Sequence, residues 1–477
     1  MKAVLFALNG SYSHTNLAIR CLRAPLAARG FDVALVEGTL GDTDSRLLDL
    51  LFAERADVYG FSCYIWNIDA MLRLASDIKK LLPNAAVVLG GPEVMFDTER
   101  FSALSFVDHI VCGEGERVFC SLCEAIKNGE KPERVIRSND MSLTDGILYS
   151  PEEPHRRLMY YESSRGCPYN CAYCLSSATR GVAAKDARQT LAELYEFEKF
   201  DDDITVKLVD RTFNFDKKRA NEIWRGLLDE KYTKKYHFEI CASLLDDESF
   251  EIFEKFPKGK IRLEVGLQST KKETLAATSR HIEPKAVLDA CKKIKDMGNI
   301  HVHLDLICGL PGDGFFDVAS AFDEAFGCSS LVQVGFLKLL HGTALRRDAE
   351  KLGIKYRDHA PYEVLATRDI SYEELRKLHE ISDVMERFFD SGKFEGTLEY
   401  ALSLSDSPFA FFSGLCDFIE SEDGRPIRRI GQNDACRLLY SYVKNEFCAD
   451  EDRLEALIHD DFSKNEVRRA PRLKGNG

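Results

Sequence analysis

The chain has 477 residues, too many for one ordinary hydrophobic core, so two or three domains of roughly 100 to 200 residues are expected. Hydrophobic residues make up 45% and charged residues 30%, the balance of a folded globular protein, which excludes a disordered or fibrous chain. With 64 basic and 78 acidic side chains the net charge is −14, which disfavours a nucleic-acid substrate because a phosphate backbone calls for a broad basic face.

The first apolar run, Ala3 to Leu8, is too short for a signal-peptide core or a membrane span, so a cytoplasmic protein without membrane association is expected. From residue 1 to 135 five apolar, β-branched runs (AVLFAL, DVALVEG, VYGFSCYI, AAVVLGG, HIVCGEG) alternate with helical patterns such as NIDAMLRLASDIKKLLP and RVFCSLCEAIKNG. Repeated βα units predict an α/β domain of Rossmann or flavodoxin type, with a parallel sheet covered by helices on both faces. Ligands of such sheets bind beyond the C-terminal ends of the strands.

Residues 136–157, polar and with several prolines, read as a linker. Residues 158–345 then carry six further strand patterns, MYYESSRGC, ITVKLVD, YHFEICAS, KIRLEVGLQ, NIHVHLDLICGLP and LVQVGFLKLL, interleaved with helices. Six units are too few to close an eight-stranded barrel and predict an open, partial (β/α)6 barrel. Residues 346–477 turn helical and acidic and predict a C-terminal helical domain; the basic runs GRPIRRIG and NEVRRAPRLKG within it read as solvated charge.

Fifteen cysteines in a cytosolic chain are expected to stay reduced. Three stand together, Cys167, Cys171 and Cys174, in a C-x-x-x-C-x-x-C arrangement just after a predicted strand. Three thiolates on one loop can hold three irons of a cubane cluster, leaving the fourth iron open to an outside ligand. A structural zinc site requires four protein ligands, and no second C-x-x-C or nearby C-x-x-H completes one. The other twelve read as small buried hydrophobes.

This motif, with an aromatic residue, Tyr173, before its last cysteine, resembles the radical S-adenosylmethionine (SAM) superfamily. The segments Glu264 to Ser269, Asp305 to Gly312 and Gly335 to Leu340 resemble that family's later barrel strands in register. The resemblance implies a [4Fe–4S] cluster on the three cysteines and SAM contacts from Tyr173, Asp210, Ser243, Glu264, Gln268, Ile307 and Leu337. The family's Gly-Gly-Glu at the second strand is missing; the strand ends Val209-Asp210-Arg211-Thr212. An ion pair capping the strand is the alternative reading of Asp210 and Arg211.

Gly90-Gly91-Pro92-Glu93 and Cys112-Gly113-Glu114-Gly115-Glu116 follow the fourth and fifth predicted strands and resemble the cobalamin-binding domain found ahead of many radical SAM barrels. That resemblance implies corrinoid contacts from Asn9, Ser11, Tyr12, Ser62, Tyr64, Gly90, Gly91, Glu93, Gly113, Glu114 and Gly115. The D-x-H-x-x-G motif that supplies a cobalt-ligating histidine in many such domains is absent, and His14 stands in the first loop without its partners.

Together these resemblances imply a cobalamin-dependent radical SAM methyltransferase acting on an unactivated carbon. Such an enzyme would take a small-molecule or peptide substrate and an external electron donor such as flavodoxin or ferredoxin. The alternatives are a cobalamin-using cyclase or rearrangement enzyme and a non-catalytic cluster- and corrinoid-binding protein. A methylthiotransferase would carry three more cluster cysteines, and Cys21, Cys63, Cys112, Cys120 and Cys123 show no matching motif.

Overall fold

The structure is a computed structural model that describes residues 1–153, 156–178, 181–200 and 203–464. Its first unit runs β1 (Lys2–Asn9), α1 (Leu17–Ala28), β2 (Asp32–Thr39), α2 (Asp44–Ala53), β3 (Val58–Ser62), α3 (Ile68–Leu81), β4 (Ala86–Gly90), α4 (Thr98–Ser102), β5 (His109–Cys112), α5 (Glu116–Lys127) and β6 (Val135–Arg137). All six strands are parallel, in the order β2-β1-β3-β4-β5-β6. The period-2 alternation of β1 explains its unbroken apolar run. Val4, Phe6 and Leu8 pack against Leu47, Leu51, Met71 and Leu74, whereas Ala3, Leu5 and Ala7 pack on the other face against Ile19, Leu26 and Phe119.

The chain leaves β1 toward β2 and returns on the other side through β3, so the strand order reverses between them. A crevice opens at such a switch point, at the C-terminal ends of the strands. Strand β6, in the stretch expected to pass from domain to linker, is three residues long and pairs with β5.

The second unit contains β7 (Leu158–Tyr161), β8 (Ser164–Gly166), β9 (Val182–Ala184), α6 (Ala187–Tyr195), β10 (Thr205–Leu208), α7 (Lys217–Gly226), β11 (Lys235–Ile240), α8 (Asp247–Phe253), β12 (Ile261–Gln268), α9 (Lys272–Ala277), α10 (Pro284–Met297), β13 (His301–Cys308), α11 (Phe315–Cys328) and β14 (Leu331–Phe336). Six strands form an open parallel sheet, β14-β13-β12-β11-β10-β7, as a partial barrel requires. The segment MYYESSRGC, expected as one strand, is two. After Tyr161 the Asp210 carboxylate takes the Ser163 N–H at 2.8 Å, and the chain turns into β8, which pairs antiparallel with β9.

Past the barrel come α12 (Ala344–Arg347), α13 (Ala349–Leu352), a two-stranded ribbon of β15 (Lys355–Tyr356) and β16 (Val364–Ala366), then α14 (Tyr372–Met385), α15 (Glu395–Leu402), α16 (Pro408–Glu422), α17 (Gln432–Glu446) and α18 (Glu451–Lys464). These helices extend the barrel's core without building one of their own: Phe322 and Phe326 of α11 pack on Phe409, Phe412 and Phe389. In GRPIRRIG, Arg425 pairs with Asp423 and Asp434, and Arg428 with Asp383; NEVRRAPRLKG lies outside the described residues. No helix among the described residues is long and apolar enough to cross a membrane.

Candidate active site between the two sheets

The C-terminal edge of the first sheet faces the cysteine-bearing end of the barrel across a cavity of about 1070 Å³. Its first wall is built by loops of the N-terminal sheet: Asn9, Ser62, Tyr64, Gly90, Gly91, Gly113, Glu114 and Gly115 all line it. Its second wall is built by the barrel, including Tyr160, Arg165, Leu175, Val209 and Arg211. Tyr64 stacks on Trp66 with ring centroids 4.3 Å apart, giving the first wall a flat aromatic plate.

Three residues expected at this wall stand elsewhere. Tyr12 is 74% exposed, the Ser11 hydroxyl lies 2.7 Å from that of Ser13, and neither lines the cavity. Glu93 is buried and accepts the Tyr362 hydroxyl, so its carboxylate ties the N-terminal sheet to the segment after the barrel. These residues neighbour the right glycines in sequence, but the loop backbone turns their side chains away.

The glycines also differ among themselves. Gly91 has φ +110° and Gly113 φ +85°, and a Cβ on either would meet protein backbone, Cys63 O at 2.5 Å and Ser138 O at 2.2 Å. Their requirement is a backbone one, set by the strand-to-loop turn. At Gly90 the nearest atom to a Cβ is 3.8 Å away, so there the space is the cavity's.

Cys171 is buried and Cys167 and Cys174 are half-buried, all three free thiols on the loop that follows β8. Backbone bonds from Ala172 N to Thr278 O and from Leu345 N to Ala172 O, both 2.8 Å, fix the loop to the barrel, and Cys174 N closes on Cys171 O at 3.1 Å. The Thr212 hydroxyl is 3.5 Å from Cys167 Sγ, and Arg280 Nη1 donates to Cys171 Sγ at 3.6 Å. Among the described residues no three Cys, His, Asp or Glu side chains are already gathered round one point for a metal. The donor set nevertheless suits a cluster: three reduced thiols on one anchored loop, with a guanidinium to balance thiolate charge. Beside them Gln268 Oε1 and Arg280 Nε are buried with no hydrogen-bond partner among the described residues, and the Tyr173 hydroxyl is buried next to Cys171 with no well-aligned hydrogen bond among them. Buried orphans call for an explanation, and a bound polar group would satisfy these.

Of the side chains expected to touch SAM, Gln268, Glu264 and Ile307 lie on the barrel's inner side, with Gln268 held at φ +73°, and Tyr173 lies on the cysteine loop beside Cys171. Ser243 is exposed in the turn after β11, its hydroxyl 3.2 Å from Cys241 Sγ. Two stand in other roles. Asp210 is fully buried and its oxygens are taken by Ser163 N, the Ser163 hydroxyl and the Ser164 hydroxyl, so it locks the entry to the cysteine loop. Leu337 is 2% exposed, with its N–H on Cys308 O and its carbonyl on Val364 N, and belongs to the core.

Sequence reasoning gave no role to Arg280, Lys207, Glu239, His237 or His303, and took Asp305 only as part of a strand segment. Parallel register sets Lys207 beside His237, Glu239 beside Glu264, and Glu264 beside His303. Lys207 Nζ lies 2.8 Å from Glu264 and 3.4 Å from Glu239, and His237 Nε2 lies 3.0 Å from Glu264. Burial works against the Glu264 charge, but His237 and Lys207 overcome it and hold the carboxyl at about 2. Asp305 lies 3.2 Å from His303 Nε2; burial and the Glu264 and Glu239 charges outweigh Lys207 and Arg280 and push it up to about 8. His303 itself is brought down to about 4, chiefly by burial, and so is neutral near pH 7.

Arg165, from the cysteine loop's approach, crosses to the first unit: its guanidinium meets Glu116 at 2.7 Å and Glu114 at 3.1 Å, besides Glu162 at 2.6 Å on its own side. The cysteine loop and the Gly113 loop are thereby held on one cation.

Comparison with known proteins agrees with this division. Residues 4–123 match the family described as B12 binding domain, residues 161–325 the radical SAM superfamily, and residues 350–473 a family described as protein of unknown function, DUF4080. The cobalamin-dependent radical SAM methyltransferase TokK of Streptomyces tokunonensis is 28% identical over 322 residues, 58% of this chain and 45% of that protein. The 2-(S-pantetheinyl)-carbapenam-3-carboxylate methyltransferase of Streptantibioticus cattleyicolor is 29% identical over 362 residues, 65% of this chain and 49% of that protein. The chain thus spans about half the length of these curated relatives. In fold it is similar to OxsB, a cobalamin-dependent SAM radical enzyme solved with aqua-cobalamin bound, with a TM-score of 0.63 at 14% identity over 97% of this chain and 84% of that one.

Proposed function

From a chain that carries a B12-binding domain ahead of a radical SAM barrel, we propose a cobalamin-dependent radical SAM methyltransferase that acts on an unactivated carbon of a small-molecule or peptide substrate. One observation carries the reading: a single cavity of about 1070 Å³ has the corrinoid-type sheet edge as one wall and the cysteine-loop end of the barrel as the other. A substrate in that space is within reach of both cofactors at once.

When bound, the cluster with SAM supplies a 5′-deoxyadenosyl radical that removes a hydrogen atom, and the corrinoid supplies the methyl group. The chain's own residues position and shield. Cys167, Cys171 and Cys174 are the cluster ligands, and Arg280 sets a guanidinium beside them, where a carboxylate of SAM can pair with it. Gln268, and Asp305 in its protonated form, offer hydrogen bonds on the same side. Asn9, Ser62 and Glu114 present polar groups to the corrinoid amides, and Gly90 lets the macrocycle approach the strand ends. Arg165 keeps the two walls in register.

The protein is proposed to be cytoplasmic, to take its electron from an external donor such as flavodoxin or ferredoxin, and to leave nucleic acid alone, in keeping with its net charge of −14. The test is anaerobic reconstitution with cobalamin, iron, sulfide and methyl-labelled SAM, followed by reduction in the presence of a small-molecule extract. Label in a product together with 5′-deoxyadenosine is expected. Deoxyadenosine without label transfer would favour a cyclase or rearrangement, and neither would leave a binding protein.

A further inference from the structure

Arg211 lies just beyond the C-terminal end of β10, and its side chain lines the cavity and is exposed within it. Several cations near the site are tied to carboxylates, Arg165 to three glutamates, Arg20 to Glu37 at 2.7 Å and Lys207 to Glu264 and Glu239; Arg280, held by Cys171 and the Gly266 carbonyl, faces the proposed SAM carboxylate, and Arg137, on the first wall, donates to the Thr98 hydroxyl at 3.3 Å. Among the described residues no carboxylate forms an ion pair with Arg211. Glu239 feels its charge but is committed to Lys207 at 3.4 Å.

The surroundings are specific. The next residue, Thr212, contacts Cys167 at 3.5 Å, so Arg211 is adjacent to the cluster loop. Tyr64, of the opposite wall, senses the Arg211 charge, so the guanidinium also borders the corrinoid side. A planar guanidinium with free donors takes a carboxylate or phosphate in bidentate fashion, and such charge-assisted bonds are about twice as strong as neutral ones.

We propose that Arg211 is the anchor for an oxyanion, a carboxylate or phosphate, of the substrate, and holds it between the cysteine loop and the corrinoid wall. This rests on the methyltransferase reading and adds to it the substrate's charge class. SAM and the corrinoid nucleotide also carry oxyanions, and the experiment separates the three sources.

Cluster-, cobalamin- and SAM-loaded protein is titrated with 4-fluorobenzoate and with its neutral isostere 4-fluorobenzamide, followed by fluorine NMR line width. Saturable binding of the benzoate alone is expected, weakened at least tenfold in Arg211→Gln and less in Arg211→Lys, with unchanged SAM affinity by dialysis and unchanged cobalamin content. Equal binding of both probes, or undiminished benzoate binding by a folded Arg211→Gln, overturns the proposal. A tenfold loss of SAM affinity assigns Arg211 to the SAM carboxylate, and loss of cobalamin assigns it to the nucleotide phosphate; either also overturns it. A wild-type protein that binds benzoate through Arg211 but never cleaves SAM would defeat the enzyme reading and leave the anion site standing.

Discussion

His14 Nδ1 lies 2.5 Å from the Tyr160 hydroxyl, so the one histidine in the first loop of the N-terminal sheet is bonded to the first strand of the barrel. The same residue makes a parallel bridge to Leu158, and Thr15 approaches the Tyr149 hydroxyl at 3.2 Å. Burial first, and the Lys207 charge second, hold the His14 imidazole below its ordinary pKa. Its work is to join two units, and cobalt ligation is not needed to explain it. Electron paramagnetic resonance of the reduced cobalt form is expected to show no imidazole nitrogen splitting. A splitting that vanished in His14→Ala would refute this.

The glycines separate into two classes with opposite expected phenotypes. Gly91→Leu and Gly113→Leu force a Cβ into backbone at 2.5 and 2.2 Å from a positive φ, a strain of roughly 1–3 kcal/mol before the clash is counted, and should lower the melting temperature of the first unit. At Gly90 an added Cβ meets no atom closer than 3.8 Å, so Gly90→Leu should keep that stability while its side chain extends into corrinoid space. Cobalamin content beside circular dichroism decides: a well-folded Gly90→Leu with full cobalamin would move the corrinoid off this edge.

Substituting Ala for Cys167, Cys171 or Cys174 should abolish the visible absorbance of the cluster and the cleavage of SAM. The controls are Cys291→Ala, in the core at 0% exposure, and Cys328→Ala, which should alter packing only. Cluster loss in both sets alike would remove the ligand assignment.

Asp305 gives the fold a pH dependence. Its carboxyl, raised to about 8 by burial and by Glu264 and Glu239, keeps a proton that the unfolded chain releases near pH ~3.9. Between those values the folded state binds the extra proton, so stability falls as pH rises, by ~1.4 kcal/mol per unit, and levels off above about 8. His303, lowered to about 4, acts with the opposite sign and only below its unfolded value of ~6.5, so between pH 6.5 and 8 it does not offset Asp305. Urea unfolding of cluster-free protein should show a slope between pH 6.5 and 8 that is steeper in the wild type than in Asp305→Asn; equal slopes would contradict the buried neutral acid.

Features that depend on local spacing were legible in the sequence. The three cysteines, the glycine loops and eleven of the twelve strands of the two parallel sheets follow from residue types a few positions apart. Strand β6 escaped because three residues carry no periodicity. The break in MYYESSRGC depends on Asp210, 47 residues beyond Ser163, and no local pattern announces such a bond. Asp305, Lys207 and the two glutamates become one network through strand register, which is a property of pairing and not of any single segment. Arg280 had a signal, a lone arginine soon after the EVGLQS strand, but only the fold brings it to Cys171.

The phenylalanines shared between α11 and the C-terminal helices bear on how this chain can be re-engineered. Cutting after residue 345 would strip Phe409, Phe412 and Phe389 from Phe322 and Phe326 and leave a greasy face on the barrel. A graft meant to import another relative's C-terminal region must therefore bring a matching α11 with it, and lineages that diversify one should be found to have diversified the other.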